Sequence, residues 1–171
     1  SLNTLIKQNN FIHLRSQYEI SDQTKLETFI QREYNPFIDL KERYLLGLVW
    51  RKSIQKNPIK WFDNKLITAL GAMIEEETLS NDTKTSEIRL ANYFIYENTL
   101  SDTVSIKSIT YYQPKLNDLS DFKILSENKL STKINEYINI SSKVILNYNS
   151  NPPYNVKTYD IELKQGLEIN F

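Results

Sequence analysis

Hydrophobic and polar positions in the first eighty residues recur at helical spacing. Leu2, Leu5 and Ile6, then Phe11, Ile12 and Leu14, recur at steps of about three and four, with Asn9-Asn10 as a break. Thr24 and Glu27 stand at capping-box spacing around Leu26, Phe29, Ile30 and Tyr34, and Pro36 ends that segment. Asp39 and Glu42 repeat the box beside Leu40, Tyr44, Leu45, Leu48 and Val49. Asn57-Pro58 reads as a cap followed by proline at the first helical position. It opens the most regular stretch, Ile59, Phe62, Leu66, Leu70 and Met73, which runs to about Glu77. Gly47 and Gly71 then fall in helix interiors, where each costs about 1 kcal/mol against alanine, and close helix–helix contact is the reason to keep them.

The pattern changes after the polar stretch 80–86. Residues 87–97 and 103–112 are rich in β-branched and aromatic side chains and predict a hairpin around Leu100-Ser101-Asp102. Residues 115–130 read as irregular, with a short helix near Lys133. Val144, Leu146 and Tyr148 alternate as a strand, and the last residues predict a hairpin turning at Gly166. The expected fold class is therefore α+β. A helical N-terminal half (about 1–79) packs with an antiparallel sheet from the C-terminal half (about 87–171). The whole of 1–171 forms a single domain with an internal boundary near 80–86.

Composition narrows the chemistry. Lys+Arg and Asp+Glu both number 21, and zero net charge argues against a protein built mainly to hold nucleic acid. There is no cysteine, which removes disulfides, thiolate metal sites and a thiol nucleophile. His13 is the single histidine, so a multi-histidine metal site is excluded, and His13 itself reads as a surface or structural residue. The three glycines, Gly47, Gly71 and Gly166, are too far apart for a phosphate-cradling loop. No cofactor, no metal and no catalytic residue is expected, and the chain is not read as an enzyme.

No apolar run reaches the ~18 residues of a spanning helix, and "SLNTLIKQNNF" lacks the layout of a signal peptide. The expectation is a soluble protein without a membrane span, cytoplasmic in preference to secreted, of open oligomeric state.

Charge is unevenly distributed. Residues 41–65 carry an excess of five positive charges, and residues 75–127 an excess of five negative ones. Such a polarised surface steers a charged partner. Arg51, Lys52, Lys56 and Lys60, with Trp50 and Trp61 as anchors, are the candidate partner-binding residues, because tryptophan and arginine are enriched at interface hot spots. The bland alternative is a solvated cationic face over half-buried tryptophans. Glu75-Glu76-Glu77 reads as a solvated helix end. Tyr111, Tyr112, Tyr148, Tyr154 and Tyr159 gather in the β-rich half, where they suit a sheet face or a stacking surface.

The reading this supports is a non-enzymatic protein-binding module, an immunity- or antitoxin-type inhibitor or an adaptor, with another protein as partner. Two alternatives stay open. One is binding of nucleic acid or another polyanion through the basic helices 41–65. The other is a carboxylate-based hydrolase or glycan-binding domain using the tyrosine-rich sheet.

Overall fold

The computed structural model describes residues 9–56 and 63–169. Their secondary structure is almost entirely antiparallel strand. The strands in chain order are β1 (Asn10–Ser21), β2 (Thr24–Asn35), β3 (Leu40–Lys56), β4 (Asp63–Leu79), β5 (Lys84–Leu90), β6 (Asn92–Thr99), β7 (Val104–Lys115), β8 (Asp118–Lys133), β9 (Ile138–Asn149) and β10 (Tyr159–Ile169). The sole helical element among the described residues is a 3-10 turn at Pro36–Ile38.

The α+β expectation is thus overturned: the half read as helical is four long strands, and the "basic helices 41–65" are β3 and β4. The physical reason lies in the burial pattern of β3. From Tyr44 to Trp50, exposed and buried residues alternate without a break: Tyr44, Leu46, Leu48 and Trp50 out, Leu45, Gly47 and Val49 in. Both sets are apolar apart from the glycine. When both faces of a strand take apolar residues the period of two disappears from the sequence, and a continuous apolar run fits a helical template equally well. β4 behaves the same way, with Leu66, Leu70 and Ile74 on one face and Ile67, Ala69 and Met73 on the other.

The sheet is a meander in the order β1-β2-β3-β4-β5-β7-β8-β9-β10, with β6 between β4 and β7. β5 and β6 continue one another. Both pair with β4 in one unbroken register (Ala72 with Leu90, Ala69 with Tyr93), and both pair with β7. The chain therefore crosses the sheet nine times in alternating directions. The polar stretch 80–86 holds the β4–β5 turn at 80–83, where Asp82 takes a left-handed conformation, and the first residues of β5. The segment near Lys133 lies in β8, as does most of 115–130. Gly166 sits inside β10 opposite Ser141, so no hairpin turns there.

The glycines of β3 and β4 have a packing role, between strands rather than helices. A Cβ on Gly47 would run into the Phe29 ring, and one on Gly71 would run into the backbone of Leu48 and Val49 in the neighbouring strand. Phe29, Leu45, Val49, Ile67, Ala69, Met73, Ala91 and Tyr93 form the buried apolar cluster on this inner face.

The sheet is strongly curled. The Arg15 guanidinium on β1 lies 5.6 Å from the ring centre of Tyr93 on β6, four strand positions away, which in a flat sheet is about 19 Å. Tyr93 also reaches Glu27 on β2, at 2.6 Å. On the other side, Lys123 of β8 lies 2.6 Å from Glu77 of β4, three positions along the order. These contacts cross the hollow of the sheet.

Candidate functional site: an ion-paired interior behind an apolar outer face

Strand alternation sends one set of side chains into the hollow and the other outward. Two ionic assemblies occupy the inner set. The first is centred on Glu27, whose residue is 0% exposed. Its carboxylate accepts from Gln17 Nε2 at 2.7 Å, Tyr93 Oη at 2.6 Å, Arg51 Nη1 at 3.1 Å and Arg15 Nη1 at 3.2 Å. Burial, then the bond to Glu27, pushes the Tyr93 phenol well above its ordinary value, so it stays a donor. His13, on β1, stacks between Phe11 and Phe29 and meets Gln31 at 3.1 Å.

The second assembly ties β2, β3, β4, β5, β7 and β8 together. Arg43 holds Glu33 at 3.0 Å and Glu77 at 2.5 Å. Arg89 donates from Nε to Glu75 at 2.6 Å and from Nη2 to Asp121 at 2.9 Å. Lys123 meets Glu75 at 2.9 Å as well as Glu77, and Lys115 bridges Glu87 and Asp121. Burial alone would raise the Glu77 carboxyl, but Arg43 and Lys123 outweigh it and hold it at about 2. Burial would raise the Asp121 carboxyl, but Arg89, with Asn151 and Lys115, together hold it below its ordinary value. Lys123 is drawn below the usual lysine range by its burial and by Arg43, against the pull of Glu75 and Glu77. Arg43 is held above its ordinary value because Glu77, Glu33 and Glu75 together exceed the cost of burying it.

Glu75-Glu76-Glu77 is therefore no helix end. The period of two splits it: Glu75 and Glu77 point into the ionic interior, and Glu76 faces out. The uneven charge of the sequence is resolved in the same place, because Arg43 from the basic segment meets the acids of β4. These bonds lie between residues far apart in sequence, and the residue types give no hint of which acid meets which base.

The outer set is largely apolar on β1 to β6 and on β9 and β10, whereas β7 and β8 carry the hydrogen-bonded pairs Thr110–Ser126 and Ser108–Asn128 in mid-strand. Cross-strand pairs continue from one strand to the next: Leu14 with Ile30, Ile30 with Leu46, Leu46 with Ile74, Ile74 with Ile88. On the far side Val144 pairs with Leu163 and Leu146 with Ile161. Leu70 is 68% exposed, Leu163 68% and Leu14 62%. Aromatic residues on this face gather towards the strand ends. Tyr34, Tyr44, Tyr112, Phe122, Tyr148 and Tyr159 lie towards the β2–β3, β7–β8 and β9–β10 turns, and Tyr18, Trp50 and Tyr96 towards the opposite ends. Of the tyrosines named from the sequence, Tyr111 faces the hollow, Tyr148 and Tyr159 border the rim of its cavity, and Tyr154 stands exposed in the β9–β10 connection.

Among the candidate partner-binding residues, Trp50 is half-exposed on the outer face, and Lys52 is exposed on the same side. Arg51 turns inward to Glu27. Lys56 ends β3. Lys60 and Trp61 lie outside the described residues. The structure thus separates Arg51 from Trp50 and Lys52. Among the described residues no cluster of three or more His, Cys, Asp or Glu side chains suits a metal ion.

The hollow keeps a cavity of about 1080 Å³, lined by Phe11 and Arg15 of β1, Phe29, Tyr93 and Tyr111 of the middle strands, and Glu162 of β10, among others. No described helix is long and apolar enough to cross a membrane, a statement that leaves strands untouched.

These features define a class: a curled antiparallel meander, apolar outside and ion-paired inside. By sequence the chain belongs to the family described as protein of unknown function, DUF481, whose family model matches residues 4–171. No curated protein and no solved structure matches it.

Proposed function

We propose that the chain is the wall of a membrane-spanning β-barrel. The observation that carries this is the inverted distribution of polarity: bare leucine and isoleucine outside, carboxylates and guanidinium groups buried inside. A water-soluble protein rarely exposes an apolar patch beyond a few hundred Å², and here apolar rows cover β1 to β5 and β9 to β10, with hydrogen-bonded serine, threonine and asparagine pairs on β7 and β8 between them. Strands of 11 to 17 residues exceed the ~9–11 that a tilted strand needs to span hydrocarbon. Apolar outward, polar inward alternation with aromatic residues towards both rims is the arrangement of a barrel in lipid. From β1 to β10 each strand is hydrogen-bonded to its neighbours along the sheet, the arrangement by which strands satisfy their backbone groups in a bilayer.

The protein-binding reading needs one partner to cover this band on every crossing, whereas lipid does so without a specific patch. In this setting Trp50 is an interfacial anchor, with Lys52 beyond it reaching for headgroups.

The test is to fold the chain with Trp61→Phe into vesicles, so that Trp50 is the remaining tryptophan. The expected result is blue-shifted emission quenched by brominated acyl chains more strongly than by aqueous iodide. Emission quenched by iodide alone, from a protein that stays in the supernatant, overturns the proposal.

A further inference from the structure

The strand register brings four lysines into one row on the inner face. Lys107 of β7 stands opposite Lys129 of β8, Lys129 opposite Lys143 of β9, and Lys143 opposite Lys164 of β10. The period of two that turns Tyr111, Glu127 and Glu162 into the hollow turns all four the same way. Directly opposed side chains have Cβ atoms about 5 Å apart, and like charges so placed repel. Three of the lysines are answered by an acid: Lys107 by Glu97 at 2.6 Å, Lys143 by Glu127 at 3.0 Å and Lys164 by Glu162 at 2.7 Å. Lys129 has a lysine on either side and makes no ion pair among the described residues.

The next inward row, towards the rim of the β6–β7 turn, is Ser105, Ser131, Ser141 and Gly166, again directly opposed. A second cavity, of about 430 Å³, lies there, lined by Lys129, Lys133 and those three serines. Gly166 leaves room beside it, since a Cβ at that position would stand 2.8 Å from Ser141 Oγ. Asp102 and Glu168 also line the cavity, at the level of Lys133 near the strand ends. The positive charge without a counter-ion therefore lies deepest, at Lys129.

We propose that this cavity binds a small tetrahedral oxyanion of the phosphate or sulfate class, with Lys129 as its counter-ion and the hydroxyls of Ser105, Ser131 and Ser141 as further donors. The site rests on the membrane-barrel reading for a water-filled hollow. Lysine binds phosphate as a point charge with three donors, and charge-assisted bonds of this kind are the strong ones. A tetrahedral anion offers separate oxygens to the lysine row and the serine row at once, which chloride does not. Inward lysines are also how a pore wall favours anions. The lysine row lies inside the hollow towards the middle of β9 and β10, whereas lipid phosphates lie at the rims, so the occupant is the free anion.

The test titrates inorganic phosphate into the protein folded in zwitterionic vesicles and follows the urea midpoint, against chloride of equal ionic strength. The midpoint is expected to rise with phosphate and to saturate. Lys129→Gln should leave the midpoint without phosphate unchanged or higher, because it relieves repulsion from Lys107 and Lys143. The same variant should need at least ~10-fold more phosphate for half the rise, the loss of one charge-assisted contact. Lys84→Gln, exposed at the start of β5, should respond as wild type does. A rise that does not saturate, or that survives Lys129→Gln, is the general exclusion of phosphate from protein surfaces and overturns the proposal. So does an equal rise in chloride, or no rise at all. A rise produced by phosphatidic acid in the vesicles, with none from free phosphate, overturns it in favour of a lipid headgroup. Trp50 quenching reports insertion separately, so failure of the anion site and failure of the membrane reading give different results.

Discussion

Glu27 is the sharpest place to perturb this molecule. Its carboxylate is fully buried and accepts from four side chains on β1, β3 and β6. Glu27→Gln keeps the volume and removes the charge. Two guanidinium groups, 26% and 19% exposed, then lose their counter-ion, and one new N–H₂ faces donors it cannot accept from. Breaking a buried pair by removing one partner costs roughly 3–5 kcal/mol. The partial solvation of Arg15 and Arg51 lowers that, so the expected loss is about 3 kcal/mol. The assay is urea unfolding of the refolded protein followed by heat-modifiable gel mobility and far-ultraviolet dichroism, with the slope checked for constancy. The double variant Glu27→Gln/Arg51→Gln removes one stranded charge and is expected to regain about 1 kcal/mol, by non-additivity of coupled sites. Arg51 Nε already lacks a partner, which favours that recovery. A single variant within about 1 kcal/mol of wild type, or a double variant worse than the sum of its singles, would refute the claim that Glu27 holds these strands together.

Three further outcomes follow from the same geometry. The folded pKa of Glu77 is depressed to about 2, so its contribution is complete above the ordinary carboxylate range and lost as pH falls towards 2. Acid titration should show stability dropping across that window by an amount on the order of 3 kcal/mol, and Glu77→Gln should flatten the drop. Gly71→Ala should destabilise more than Gly47→Ala, about 3 kcal/mol or more against about 1–3, because the first meets neighbouring backbone and the second a movable Phe29 ring; parallel urea midpoints decide it. Leu48→Arg, at the middle of β3, should cost about 2–4 kcal/mol of folding into vesicles while Tyr44→Arg, nearer a rim, costs about 0–1; equal effects, or improved solubility with unchanged folding, would contradict a lipid-facing band.

The sequence revealed the β-rich half in part and misled in the other half, and burial explains both. Residues 103–112 predict a strand because Val104, Ile106 and Ile109 are spaced by serine, lysine and threonine, and β7 lies there. The segment 44–50 buries an apolar inner row and exposes an apolar outer row, so no polar–apolar alternation survives there. The capping-box pairs Thr24/Glu27 and Asp39/Glu42 were coincidences of spacing. Glu27 is a cross-strand hub, and Asp39 takes the left-handed conformation after the 3-10 turn. One signal is present in the sequence: four acids or bases, Glu27, Arg43, Arg51 and Glu75, sit at intervals of an even number of residues from apolar inner neighbours such as Phe29, Leu45, Val49 and Met73. In a soluble sheet charged residues share the outer phase. Here they share the phase of the core.

That phase relation also explains why the ionic interior is built as it is. A sheet packed on water from outside and on itself from inside would place Glu75, Arg89 and Asp121 outward, at no desolvation cost. Burying them is tolerable only when each finds full partners, and Arg89 does so with two carboxylates and two backbone carbonyls, those of Gln113 and Asp121. In lipid the balance reverses: charge in the outer phase is costly at mid-depth, so Glu75, Arg89 and Asp121 take the inner phase and tie the wall together there, while Arg32, Lys52 and Glu76 face out nearer the strand ends. The span of the pairs fits this. Lys123 on β8 with Glu77 on β4, and Tyr93 on β6 with Glu27 on β2, join strands that share no backbone hydrogen bond. They fix the curvature of the wall, which a run of neighbour-to-neighbour hydrogen bonds leaves free.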